Sequence, residues 1–227
     1  MSNDLKPAAE VAVSDGALRK LAIIALLSVG LGLLIQVLIL VARIAAGGSF
    51  PSIGAAADVA QGVTWALLVC TGVGIGTSIM RARAQIVGLI GALFAPIAVA
   101  AAKGSQRLVS SALDLAEQQA LLSLGAISLA RAVEYAILGF LLGTLAQRGE
   151  RRVSRYFGVG AGVGLVCGGA VLALNAWIAA DAGRAFGAPQ IAAGVVNEVL
   201  FPIGCALVIY GGQLVGRAFS RAELALG

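Results

Sequence analysis

The chain has 227 residues, 59% apolar and 12% charged, with a mean hydropathy of +0.97 and a formal charge of +5. Soluble domains carry roughly a quarter charged residues, and sixteen basic plus eleven acidic side chains cannot coat a soluble fold of this size. The composition excludes an ordinary soluble domain, a disordered chain and, despite a pI near 9.6, a nucleic-acid binder. What it predicts is an all-α, polytopic integral membrane protein.

A helix needs about 20 apolar residues to cross the hydrocarbon. Six runs qualify: residues 17–44, 59–80, 85–102, 120–146, 156–180 and 192–216. Residues 1–16 and 219–227 read as tails, the first polar and flexible, around a six-span domain over residues 17–218. With the N-terminus inside, eleven basic residues fall on the cytoplasmic side, among them Arg81, Arg83, Arg148, Arg151, Arg152, Arg155 and Arg217. Four, Arg43, Lys103, Arg107 and Arg184, fall outside. The positive-inside bias therefore predicts that both termini are cytoplasmic. The membrane expected is the bacterial inner (plasma) membrane.

In chain order, the first span carries Gln36 and the second Thr64, each in an otherwise apolar helix. The third run is the shortest and carries Pro96, a predicted helix break. After it, Arg107, Ser111, Asp114 and Gln118 recur at helical spacing opposite Leu108, Val109 and Leu113. That pattern predicts a short amphipathic helix over residues 105–119 lying on the outer surface, with a bend before the fourth span.

The fourth span holds Arg131 and Glu134, three residues apart and on one face. The fifth holds Gly160, Gly164 and Gly168 at four-residue spacing, a ridge for close helix packing, and Asn175 further on. Gly72/Gly76, Gly139/Gly143 and Gly212/Gly216 repeat the small-xxx-small spacing. The sixth holds Asn197, Glu198 and a second predicted break, Pro202. The strings around Pro96 and Pro202 are similar, and a 3 + 3 inverted repeat would place them in matching positions.

Ionisable groups inside spans are costly and are functional candidates. Counting ~1.5 Å per residue from each cytoplasmic Arg or Lys puts Arg131, Glu134, Glu198, Asn175, Gln36 and Thr64 at similar depth, in the outer half of the bilayer. Arg131 is expected to pair with Glu198, with Glu134 competing. These residues, with Asn197, form the candidate substrate or ion-pair cluster.

The chain contains no histidine, and Cys70, Cys167 and Cys205 are isolated in different spans without a CxxC. Imidazole catalysis, His-ligated metals and dithiol chemistry have no residues to work with. No metal, cofactor or enzymatic activity is expected. The function that suits this layout is membrane transport, as a carrier or the solute-capture subunit of a transporter. The alternative is a non-catalytic structural or assembly subunit of a larger membrane complex. Expected partners are the lipid bilayer and other membrane subunits or further copies of the chain.

Overall fold

A computed structural model describes residues 6–49, 52–78, 83–115 and 123–226, with the backbone course alone for 6–17 and 216–226. All regular structure among the described residues is helical. Six helices are long and apolar enough to span a membrane. They are α1 (Lys6–Ala45), α2 (Ala55–Ser78), α3 (Ala84–Ala112), α4 (Leu124–Gln147), α5 (Val153–Asp181) and α6. The sixth comprises Ala188–Val195, a π-helical turn over Val196–Leu200, and Phe201–Leu226. A second π turn, Gly164–Gly168, interrupts α5. The protein is an integral, multi-pass membrane protein. Its outward faces are apolar: Leu26 and Val166 are each 73% exposed and Trp177 is 70% exposed, a surface suited to lipid and not to water.

Neighbours in sequence are neighbours in space. Helix α1 packs on α2, α2 on α3, α3 on α4, α4 on α5 and α5 on α6, and α6 returns to α1. Helices α2 and α6 also touch, closing the interior. The core there is built from Ile24, Val69, Val73, Leu138, Leu142 and Ile209, all buried. Cys70 and Cys205 are buried among them as free thiols.

The glycine spacings are close helix contacts. A Cβ at Gly139 would lie 2.8 Å from the Val87 carbonyl oxygen, and one at Gly143 2.9 Å from Val87 Cβ, so α3 and α4 meet backbone to backbone. Gly88 and Gly91 of α3 face the Ala136 and Tyr135 carbonyls in the same way. The ridge on α5 is taken up by α6: Gly160 against Pro202 and Ile203, Gly164 against Val199, Gly168 against Glu198. Gly158 and Gly162, on the next face, meet nothing within 4 Å. They line an apolar groove of about 610 Å³ between α4 and α5, with Ile137, Leu141 and Val166.

Several sequence-based expectations are corrected. Helix α1 begins at Lys6, inside the segment expected as a tail, and α6 runs on to Leu226. The separate amphipathic helix is absent among the described residues. Residues 105–112 instead prolong α3. Residues at the start of that stretch have partners on α2: Ser105 Oγ donates to the Ala60 carbonyl (3.3 Å) and Gln106 Nε2 to Asp58 Oδ1 (3.1 Å). Those bonds hold the extension against the start of α2. The chain then turns at Leu113–Asp114, where Asp114 adopts φ 50°. The amides of Asp114 and Leu115 close back on the Ser111 and Ser110 carbonyls, which is a Schellman end with aspartate where glycine is usual. Residues 116–122, including Gln118, lie outside the described residues. The same end, with glycine, terminates α4 at Gly149 (φ 63°). Finally, α3 runs unbroken through Pro96, whereas Pro202 follows a π turn. The two similar strings therefore have different local structures.

Candidate functional site

The site begins with a proline. Pro202 has no amide hydrogen to give to the carbonyl of Glu198, four residues back, and its ring crowds that carbonyl. The α-helix loses one hydrogen bond there. The turn before it widens into the π turn Val196–Leu200, a rare element that concentrates at functional positions. The Glu198 carbonyl then lies against Gly168 of α5, where a side chain would collide with it. The second π turn, Gly164–Gly168, stands directly opposite. The two irregular segments thus face each other at one level of the bundle.

The Glu198 side chain projects from this turn toward α4. Arg131 meets it: Nη2 donates to Glu198 Oε1 at 2.6 Å, while Nη1 donates to Glu134 Oε2, also at 2.6 Å. The expected pair with Glu198 forms, and Glu134 does not displace it. One guanidinium bridges both carboxylates. Its planar fork of donors permits two such bonds at once. Asn197 Nδ2 donates a further bond of 2.9 Å to Glu198 Oε1. Glu134 and Glu198 are buried, and the Arg131 side chain is only 11% exposed.

Aromatic rings close the cluster. Trp65 of α2 lies 5.5 Å from the guanidinium carbon, a cation–π contact. Trp65, Tyr135 and Phe201 form a triangle with centroid separations of 5.5, 6.2 and 6.4 Å. Helices α2, α4 and α6 therefore converge here, each contributing one ring. Removing one member of a buried ion pair typically costs about 3–5 kcal/mol, because the remaining charge is stranded.

Hydrogen bonding is incomplete on the inner side. Glu134 Oε1, Glu198 Oε2 and the Tyr135 hydroxyl are buried without a partner among the described residues. Buried polar atoms in native proteins are nearly always satisfied, and exceptions call for an occupant.

No protein-family model, characterised protein or solved structure matches the chain. The site is accordingly read from its own residues.

Of the residues of the candidate cluster, the structure joins Arg131, Glu134, Glu198 and Asn197. The other three stand apart. Gln36 packs against Gly62 of α2, filling the space its missing side chain leaves. Thr64 and Asn175 are half-buried and make no side-chain hydrogen bond among the described residues. The groove between α4 and α5 is also separate, since no cluster residue lines it. Sequence reasoning did not single out Trp65, Phe201 or the contact between Gly168 and Glu198. A signal existed for Trp65: it is one of two tryptophans in the chain and precedes a core run on α2.

At the opposite end of the bundle, Tyr156 donates to Gln213 Oε1 at 2.7 Å and Tyr210 to the Arg151 carbonyl at 3.1 Å. The first bond ties α5 to α6, and the second ties the loop after α4 to α6. In that loop the backbone N–H groups of Arg152 and Arg151, 3.0 and 2.9 Å away, hold the exposed Glu150 carboxylate below the usual range.

Proposed function

We propose that the protein is a membrane transport protein, or the solute-capture subunit of a transporter, and that it works at the Arg131–Glu134–Glu198 cluster. In this reading both termini are cytoplasmic, as the Lys and Arg bias expects. The cluster then lies in the outer half of the bilayer of a bacterial inner membrane. The single observation that carries the reading is the pair of buried carboxylate oxygens, Glu134 Oε1 and Glu198 Oε2, left without donors beside a shared guanidinium. A bridge serving packing alone is best completed on every acceptor. Here acceptor capacity is kept inside the membrane, where it costs most. Arg131 would hold an anionic group of a solute, with the two glutamates as its counter-charges when the solute is absent. The facing π turns support the same reading, because such turns recur where helices must rearrange around a bound group.

An assembly subunit is the second reading. Its support came from the α5 glycine ridge, and α6 of the same chain occupies that ridge. Gly158 and Gly162 keep a face open to a further helix.

The test is a thermal-shift screen of the detergent-purified protein against pooled small anions, metabolites and ions. A ligand at 100 times its Kd should add about 2.7 kcal/mol of stability, and Arg131→Gln should abolish the shift. Absence of any ligand effect, together with obligate co-purification with another membrane protein, would replace transport by assembly.

A further inference from the structure

The charges of the cluster do not balance. One guanidinium faces two carboxylates, so with both ionised the site carries a net charge of −1, buried between α2, α4 and α6. Among the described residues, no cation other than Arg131 pairs with either carboxylate. From α2 come Trp65 and Cys70, from α4 Tyr135, from α5 Cys167, and from α6 Asn197 and Cys205. Helix α3 approaches the Tyr135 backbone with Gly91. None of these groups carries a positive charge. An uncompensated charge in so dry a place is strongly disfavoured.

Each carboxylate keeps one buried oxygen without a partner among the described residues, Glu134 Oε1 and Glu198 Oε2, and so does the Tyr135 hydroxyl. Tyr135 is 1% exposed and one residue from Glu134, on the same face of α4 as Arg131. A metal cation is a poor fit. Hard cations surround themselves with many oxygens, about six to eight for calcium. Among the described residues no group of three or more acidic, cysteine or histidine side chains converges. A proton needs only one acceptor.

We propose that the Arg131–Glu134–Glu198 cluster is a proton-binding site. One carboxylate takes a proton from hydronium in the aqueous phase, releasing water and becoming a carboxylic acid. The guanidinium, the remaining carboxylate and the acid then form a neutral unit. The acid's hydroxyl occupies an oxygen that otherwise lacks a partner. As a use for that proton, the inference rests on the transport reading, in which it is the coupled ion. The protonation itself does not depend on transport.

The test uses the full chain in detergent at neutral pH. Infrared spectra in H2O and D2O should carry the C=O band of one buried carboxylic acid. The band should disappear in alkaline buffer and in both variants E134Q and E198Q, because each leaves one carboxylate for one guanidinium. A glutamine amide is the neutral mimic of the acid, so at least one of these variants should unfold at the wild-type midpoint. The double variant strands Arg131 and should lose roughly 100-fold or more in its folding equilibrium constant. Absence of the band in folded wild type would overturn the proposal. So would large destabilisation by both single substitutions, since that would require two ionised carboxylates. Removal of the band by Na⁺ but not by choline would assign the charge to an alkali cation and also overturn it. A failed ligand screen would leave the band untouched, so failure of the transport reading is distinguishable from failure of the proton site.

Discussion

Five glycines of α5 offer a test of how this bundle is held together, because they divide by face. A Cβ at Gly164 would lie 2.5 Å from the Val199 carbonyl oxygen, and one at Gly160 would lie 2.6 Å from Ile203 Cα. Ordinary contact begins at 3.4 Å, so α5 and α6 would have to part by about 0.8–0.9 Å. A gap of that size forfeits roughly a quarter to a half of each dispersion contact along the seam, and overpacking of this kind costs about 1–3 kcal/mol. Alanine returns about 1 kcal/mol of helix propensity. Gly160→Ala and Gly164→Ala should therefore be neutral to destabilising by up to about 2 kcal/mol. Gly168→Ala should be worse, since its neighbour is the backbone of Glu198 and the displacement would pull at the bond to Arg131. At Gly158 and Gly162 a methyl group enters open space, and the propensity gain of about 1 kcal/mol stands alone. Reversible denaturant titration in mixed micelles would measure all five variants. If Gly164→Ala proved as stable as Gly162→Ala, the packing account of the α5–α6 seam would be wrong.

Two smaller predictions concern the loops. Asp114 occupies the left-handed position that closes α3, where an L side chain costs roughly 1 kcal/mol or more relative to glycine. Asp114→Gly should stabilise the protein, and Gly149→Ala, at the equivalent position after α4, should destabilise it by a similar amount; opposite signs in one titration series check both. Glu150 has its carboxyl held below the usual range by the Arg152 and Arg151 amides, so its contribution is present above about pH 4.3 and is lost as the pH falls through the lower folded value. Hydrogen exchange at those two amides, corrected for intrinsic pH dependence, should slow in wild type relative to Glu150→Ala at neutral pH and converge with it in acid. Equal exchange at neutral pH would refute the cap.

The six spans were legible because each is a long apolar run bounded by arginines or turn residues, and lipid leaves helices little choice. The Arg131–Glu198 pair was legible from depth alone: two charges at one level of a dry bundle must meet. Depth failed for Gln36, Thr64 and Asn175, since it fixes a level and not a direction. Gln36 points at the gap over Gly62 instead. The 105–112 stretch was misread for a related reason. Its period is helical whichever way the helix runs, and only the bonds from Ser105 and Gln106 to α2 decide that it continues α3. Proline was read as a break in both cases. Pro96 lies within a continuous α-helix and Pro202 beside a π turn. What distinguishes them is the partner helix, which in the second case offers a glycine to the displaced carbonyl.

That difference makes the two bonds of Arg131 mechanically unequal. Glu134 lies on the same helix, three residues away, and α4 is locked to α3 by Gly139, Gly143, Gly88 and Gly91. The backbone of α4 therefore keeps Arg131 and Glu134 within reach of each other. Glu198 lies on another helix, within a π turn whose backbone seats on a second π turn of α5. A shift of α6 along that seam would move Glu198 while Arg131, Glu134 and Tyr135 stay in place. Proline, glycine ridge and in-membrane carboxylate read as three separate features in the sequence. In the fold they are one arrangement: Pro202 follows the π turn, Gly168 receives its Glu198 carbonyl, and the Glu198 side chain reaches Arg131.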